Sequence, residues 1–335
     1  MTLRDHLKSP LGFGTAPLGN MFRDIPEAEA AATLQAAWDA GTRYFDTAPF
    51  YGAGMAESRV GELLKGRDRG SYVLSTKVGH LVLDEALESR DDGDSRGLFS
   101  TGNPRKVVTD YTRDGTLRSL EGSLERLGTD HVEMVFVHDL SPDFLGDAWT
   151  GHFEVARQGA FRVLDEMRAQ GVIEGWGLGV NTVDPVVRLL ELDDVNPNCT
   201  LLAGRYTLLD HADAASRLMG KAAAQGVEII AGGPYSSGVL AGGDHFEYGS
   251  VPPEIAQKLK VVRDLCQRFD VPVKAAALHF SMANPAVASV IPGASKPERI
   301  AEDHAAWQTA IPAGFWQALR DAGIIDPAAP VPDQG

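Results

Sequence analysis

A carboxylate and a phenol stand five positions apart in Gly41-Thr-Arg-Tyr-Phe-Asp-Thr-Ala-Pro-Phe-Tyr-Gly52. The apolar pair Tyr44-Phe45 runs into Asp46, and a Pro-containing loop then presents Tyr51. Two further runs, Ser71-Tyr-Val-Leu-Ser-Thr-Lys77 and His131-Val-Glu-Met-Val-Phe-Val-His138, end in a lysine and a histidine. The carboxyl ends of strands are where a parallel α/β fold places its chemistry. The chemistry this set suits is proton transfer at a carbonyl/alcohol pair. A free phenol titrates near ~10, too high for efficient proton abstraction at neutral pH. A nearby ammonium favours phenolate, a carboxylate keeps that ammonium in place and charged, and an imidazole beside the phenol can orient the substrate oxygen. That is the half of a hydride transfer which the protein must supply.

Each residue also has an ordinary reading. Asp46 alone is a turn or capping residue, and His138 alone is a hydrogen-bonded structural histidine. Lys77 is harder to set aside, because an ammonium ending a buried strand needs a partner to stay charged. All four falling in chain order, each beyond an apolar run, favours one polar cluster in a barrel mouth.

The elements that must position them follow from periodicity. Residues 26–41 read as a helix opened by Pro26 and stopped by Gly41, and 57–65 as another. Residues 110–127 carry Leu117, Leu120, Leu124 and Leu127 on one helical face, and Gly128 ends it. Further helices are expected over 155–170, 185–192, 212–225, 253–269, 273–284 and 297–308. Strands are expected within 11–19 and at 43–46, 71–77, 131–138, 174–181, 200–203, 227–231 and 288–291. Eight strand–helix units predict an α/β fold of the (β/α)8 TIM-barrel type, a single domain over 1–335, rather than an open doubly wound sheet. Residues 78–105 read as a long irregular loop, 232–251 as a glycine-rich one, and 325–335 as a loose tail.

Composition narrows the partners. Lysine and arginine number 31 against 46 aspartates and glutamates, a net charge of −15, which argues against nucleic acid or an anionic membrane surface. No window reaches the ~20 apolar residues of a membrane span, and Met1–His6 lacks a signal core, so the chain reads as cytoplasmic. Cys199 and Cys266 fit no metal or redox spacing and suit a reducing compartment. The nine histidines do not fall at ligand spacing along the chain, and no metal is expected.

With Ser75-Thr-Lys77, Ser123-Leu-Glu-Arg-Leu-Gly-Thr-Asp130, Val137-His138 and Ile291-Pro-Gly-Ala-Ser295 added, the chain resembles the aldo-keto reductase family from Leu11 to Trp307. The resemblance implies a nicotinamide dinucleotide bound without a Rossmann domain. It makes Tyr51 the general acid/base, Lys77 the residue that tunes it, Asp46 the partner of Lys77, and His138 the residue that orients the carbonyl. It also implies a cofactor face: Gly14, Thr15 and Asp46 at the first strand ends, Asn181 for the carboxamide, and Tyr235 to stack on the nicotinamide. Ser236, Ser237 and Gly238 would lie under the pyrophosphate, Gly293 and Ala294 beyond the last strand, and Arg299, Glu302 and Asp303 near the adenosine. Gly293 stands where many NADPH-using relatives carry lysine, which favours NAD, with NADP possible through Arg299. Ala203 replaces the family's usual glutamine, and the hairpin that closes the barrel floor looks truncated.

Gly12-Phe-Gly-Thr-Ala-Pro-Leu-Gly19, Val137-His-Asp139 and Ala203-Gly-Arg-Tyr-Thr-Leu-Leu209 are similar to the family's aldose 1-dehydrogenases, which act on D-threo-aldoses such as L-fucose. Pyridoxal 4-dehydrogenase shares much of that pattern. The implied reaction on a small-molecule substrate takes a hydride from C1 of a cyclic hemiacetal to NAD and leaves a lactone. Loops 78–105 and 236–251 would form the walls, with Trp149 and Phe144 either stacking on a sugar face or anchoring loops. The alternatives are an NADPH-dependent reductase of aldehydes or pyridoxal, and a dinucleotide-binding regulatory protein like the members tied to ion channels. Monomer and homo-oligomer are both open.

Overall fold

The computed structural model describes residues 3–86, 97–99 and 101–332. Eight strands pair in parallel and in chain order: β1 (Phe13–Gly14), β2 (Tyr44–Asp46), β3 (Val73–Val78), β4 (Met134–His138), β5 (Gly175–Val180), β6 (Cys199–Ala203), β7 (Glu228–Gly232) and β8 (Val287–Ile291). Hydrogen bonds from Gly12 N to Val290 O and from Gly14 N to Pro292 O, both 3.0 Å, join β1 to β8 and close the ring. Helices stand outside, among them Glu27–Asp39, Met55–Leu64, Arg113–Leu127, Pro253–Phe269 and Pro297–Trp307. This is the expected (β/α)8 barrel.

Period two decides which side chains fill it. Tyr44, Met134, Phe136, Leu201 and Ile230 pack inside the ring, while Phe45, Val135, Val137, Leu202 and Ile229 pack between strands and helices. Both faces are buried, so β3, β4 and β5 have no exposed residue. Leu7 packs against the inner group from the floor. Arg4 fastens the short Leu3–His6 helix there through Val287 O (2.6 Å) and Glu228 (3.1 Å).

The glycines of β5 set the close approach of neighbouring strands. A Cβ at Gly177 would lie 1.8 Å from Cys199 O, a backbone atom that cannot move aside. One at Gly179 would lie 3.4 Å from Cε of Lys77, so the absent side chain there gives the lysine its channel. Gly177→Ala is expected to lower unfolding free energy by at least about 3 kcal/mol, since a rigid clash exceeds ordinary overpacking. Urea denaturation reads this directly, and an unchanged midpoint would contradict so close an approach of β5 and β6.

Three sequence expectations need correction. The stretch 78–105 is not irregular at its base: His80–Ala86 and Arg105–Thr109 form an antiparallel ribbon, because β-branched Val82, Val107, Val108 and Thr109 favour extended pairing. Its residues 87–96 and 100 lie outside the described residues. The helix expected over 155–170 is two, Trp149–Gln158 and Ala160–Ala169, broken at Gly159, where a Cβ would meet Tyr111 O at 2.6 Å. The tail is packed through the described part: Ile325 and Ala329 are buried, and Arg320 donates to Ala329 O at 2.8 Å. It follows a helix, Ala313–Asp321, that the strand–helix count omitted.

Candidate active site

The strand ends converge as their order implies. Lys77 on β3 donates from Nζ to Asp46 Oδ2 on β2 (2.7 Å) and to Thr47 O (2.9 Å). Ser75, two residues earlier and so on the same side of β3, donates to Asp46 Oδ1 at 2.7 Å. Lys77 is 1 % exposed and Asp46 2 %, so this is a buried, geometrically satisfied pair. Tyr51 is half-buried and lies over the pair, its ring centroid 4.7 Å from Lys77 Nζ. The ring of His138, at the end of β4, meets the Tyr51 ring edge-on with centroids 5.7 Å apart. All four expected catalytic residues are thus brought together.

Burial governs their protonation. It pushes the Tyr51 phenol well above its ordinary value, and Asp46 adds to that push. The sequence-based expectation was a phenol lowered by Lys77; instead the ammonium is committed to Asp46 and Thr47 O, and Tyr51 rests as a neutral proton donor. Burial raises Asp46 too, opposed by Lys77 and Ser75. His138 is pulled down to about 3, chiefly by burial, so its imidazole is neutral at physiological pH.

Asp46 and Tyr51 open onto a cavity of about 640 Å³. Its wall includes Gly14, Asn181, Tyr235, Ser236, Ser237, Gly238, Gly293, Ala294 and Arg299, so most of the expected cofactor face is in one place. The backbone fits an elongated anionic group: Ser236, Ser237 and Gly238 all have positive φ (48, 59 and 105°) and break the turn after β7 into an open concavity. Asn181 Nδ2 donates to Asp143 Oδ2 at 3.2 Å on the same wall. A nicotinamide dinucleotide is compatible with this set, in which Asp46, Tyr51, Asn181, Tyr235 and Arg299 line one cavity.

Three expected cofactor residues are placed elsewhere. Thr15 is fully buried with its hydroxyl on Asp46 O (2.9 Å), so it braces the catalytic strand. Asp303 is buried between the Tyr235 hydroxyl (2.8 Å) and Lys274 (2.5 Å) and fixes the tyrosine ring from behind. Glu302 pairs with Lys274 at 3.0 Å and lines a separate surface groove. Helix phase alone could not show which face of Pro297–Trp307 turns inward.

Other residues of the site were missed. His80 is 1 % exposed, stacks on Phe50 (4.7 Å) and meets Asp139 Oδ2 at 3.2 Å. Possible ligand atoms of His80, His138 and Asp139 lie within 4.8 Å of one another, a proximity invisible in chain spacing. Phe144 joins this group, 5.3 Å from His80 and 5.8 Å from Phe50, whereas Trp149 packs on Phe153 outside the cavity. At the mouth, Phe22 stacks on His245 (4.9 Å) and Arg205 pairs with Glu247 (2.7 Å), joining the loop after β7 to those after β1 and β6. The mixture of charged and aromatic residues in Asp244-His-Phe-Glu-Tyr248 was the available signal.

Comparison with known proteins agrees with this geometry. The model of the aldo/keto reductase family matches residues 10–324. The chain is 38% identical over 330 residues to pyridoxal 4-dehydrogenase of Microbacterium luteolum and 35% over 321 residues to D-threo-aldose 1-dehydrogenase of a Pseudomonas species, covering 94% of both chains in each case. Its fold matches an aldo-keto reductase from Bacillus halodurans in its holo form with a TM-score of 0.71 at 22% identity, covering 97% of this chain and 94% of that one. The chain belongs to the aldo/keto reductase family and is an oxidoreductase.

Proposed function

We propose that this enzyme oxidises an aldose at C1, as a cyclic hemiacetal, to the lactone with NAD. The observation that carries the reading is Tyr51 standing over the buried Lys77–Asp46 pair at the wall of the cavity. Tyr51, as the phenolate, takes the proton of the hemiacetal hydroxyl and becomes the neutral phenol. The Lys77 ammonium beneath the ring lies close enough to favour the phenolate that starts the step. Asp46 and Ser75 hold Lys77 in position, and neutral His138 donates a hydrogen bond to the reacting oxygen. The nicotinamide, when bound, supplies the hydride acceptor. Asp143, Arg205, Glu247 and Tyr248 on the outer wall are suited to sugar hydroxyls. The chain acts as one barrel domain in the cytoplasm, where the buried thiols Cys199 and Cys266 stay reduced.

Gly293 supports NAD. A Cβ there would lie 2.9 Å from Cγ of Pro17, so the cation that could hold a 2′-phosphate has no room to leave the backbone. Arg299 Nη1 donates to Ala241 O at 2.9 Å and is thereby tied to the loop beside it. The expected preference for NAD over NADP is about tenfold or more in kcat/KM, the effect of one missing charge-assisted hydrogen bond.

Pyridoxal is the second reading, favoured by the 38% identity to a pyridoxal 4-dehydrogenase. It too closes to a cyclic hemiacetal, so the same residues would serve. Absorbance of reduced nicotinamide, followed with NAD and NADP separately against L-fucose, D-arabinose and pyridoxal, tests all of this. NAD-linked turnover of a sugar is expected. Turnover of pyridoxal alone would move the substrate, and silence with every substrate despite dinucleotide binding would favour a regulatory role.

A further inference from the structure

We infer that Asp139 is a positioning residue that keeps the single proton of the His138 imidazole on Nε2, where it serves the substrate oxygen. The inference rests on the reading of His138 as hydrogen-bond donor in the proposed reaction. A neutral imidazole carries one N–H and one lone pair, and only the former can donate. The two nitrogens of His138 sit in different surroundings. Nδ1 is buried with no hydrogen-bond partner among the described residues. A proton there would be a donor stranded in the core, which costs more than an unused lone pair. Nε2 lies 3.7 Å from Asp139 Oδ1. At that distance a carboxylate favours an N–H facing it and disfavours a lone pair, yet the contact is too long to be a hydrogen bond. The proton is therefore held on Nε2 and left free for a closer acceptor.

Asp139 is itself built into place. It is 8 % exposed, and Oδ2 is met by His80 Nε2 at 3.2 Å. Its backbone has φ 53°, a left-handed conformation that a non-glycine residue adopts only when its surroundings enforce it. Asp139 N–H donates to Gly179 O (3.0 Å), Ser141 N–H donates to Asp139 O (2.8 Å), and the Tyr111 hydroxyl donates to the preceding carbonyl of His138 (2.8 Å). A regular strand end would need none of this and would carry the carboxylate away from the imidazole.

The test is nitrogen-15 NMR of histidine-labelled enzyme at pH 7, read without substrate, on wild type, Asp139→Asn and His80→Gln. Wild type is expected to show a protonated Nε2 and an unprotonated Nδ1 for His138. In Asp139→Asn the negative charge that favours an N–H at Nε2 is gone and the amide NH2 dipole can face an Nε2 lone pair instead, so the population with the proton on Nδ1 rises. kcat then falls by about 10²–10⁴-fold, as when a catalytic histidine is held in the wrong tautomer, with the dissociation constant for NAD within about twofold of the parent. His80→Gln keeps the carboxylate and is expected to keep the wild-type pattern. A wild-type spectrum with the proton on Nδ1 overturns the proposal, even if Asp139→Asn fails to fold. So does an Asp139→Asn spectrum identical to wild type. Because the tautomer is read without turnover, it stands or falls separately from the substrate reading.

Discussion

Replacing Tyr51 with phenylalanine lowers kcat by about 10³-fold or more, the usual worth of a positioned general acid/base. The fold tolerates the change. Tyr51 is half-buried, and the cost of removing one hydroxyl that faces a cavity is no more than about 1 kcal/mol. Binding of NAD changes little, because the rest of the cavity wall is untouched. Steady-state kinetics, with equilibrium dinucleotide binding followed by fluorescence, separates the two effects. A phenylalanine variant as active as the parent would remove Tyr51 from the mechanism and leave the cavity without its acid/base.

Replacing Lys77 with methionine has the largest expected effect on stability. The substitution strips the buried Asp46 of its ion pair and leaves Ser75 as its remaining side-chain partner. Breaking a buried pair from one side costs about 3–5 kcal/mol. The sign of the pH dependence follows. Burial already raises the Asp46 carboxyl, and removing the ammonium removes the main opposing charge, so its folded-state pKa rises further above the unfolded one. Stability relative to the parent is therefore regained as pH falls and the carboxyl takes up a proton. The double variant Asp46→Asn with Lys77→Met should be more stable at pH 7 than Lys77→Met alone. Urea denaturation at pH 5 and pH 8 checks both statements. A single variant no less stable than the double would mean that Asp46 is not charged in the fold.

Much of this site was legible before the structure. Asp46, Lys77 and His138 end apolar runs that can only be buried strands, and parallel strands in chain order bring such ends together. Pro26, Gly41 and Gly128 punctuate helices where their backbone preferences require. What escaped depends on direction rather than sequence position. Thr15 directly follows β1 and Asp303 lies within the helix after β8, yet packing turns one toward the Asp46 backbone and the other behind Tyr235. His80 sits beyond the end of β3, but only the ribbon paired with 105–109 folds it back against Asp139. The rise of the Tyr51 phenol was hidden for a related reason. Burial of the phenol and the nearby Asp46 charge raise its pKa, and the Asp46 carboxylate that pairs with Lys77 offsets much of the ammonium's pull.

The most direct test of the central claim, that Tyr51 carries the proton of the oxidation, is the pH dependence of kcat for a sugar substrate with saturating NAD, in the parent and in Tyr51→Phe. Oxidation needs the phenolate, and the phenol is held high, so the parent rate should climb tenfold per pH unit from about 7 upward until the phenol's own pKa is passed. No inflection belongs near the ordinary value for histidine, because His138 titrates at about 3. The residual rate of Tyr51→Phe should be flat over the same range. A parent profile that is itself flat, or a phenylalanine variant that keeps the slope, would contradict a proton carried by Tyr51.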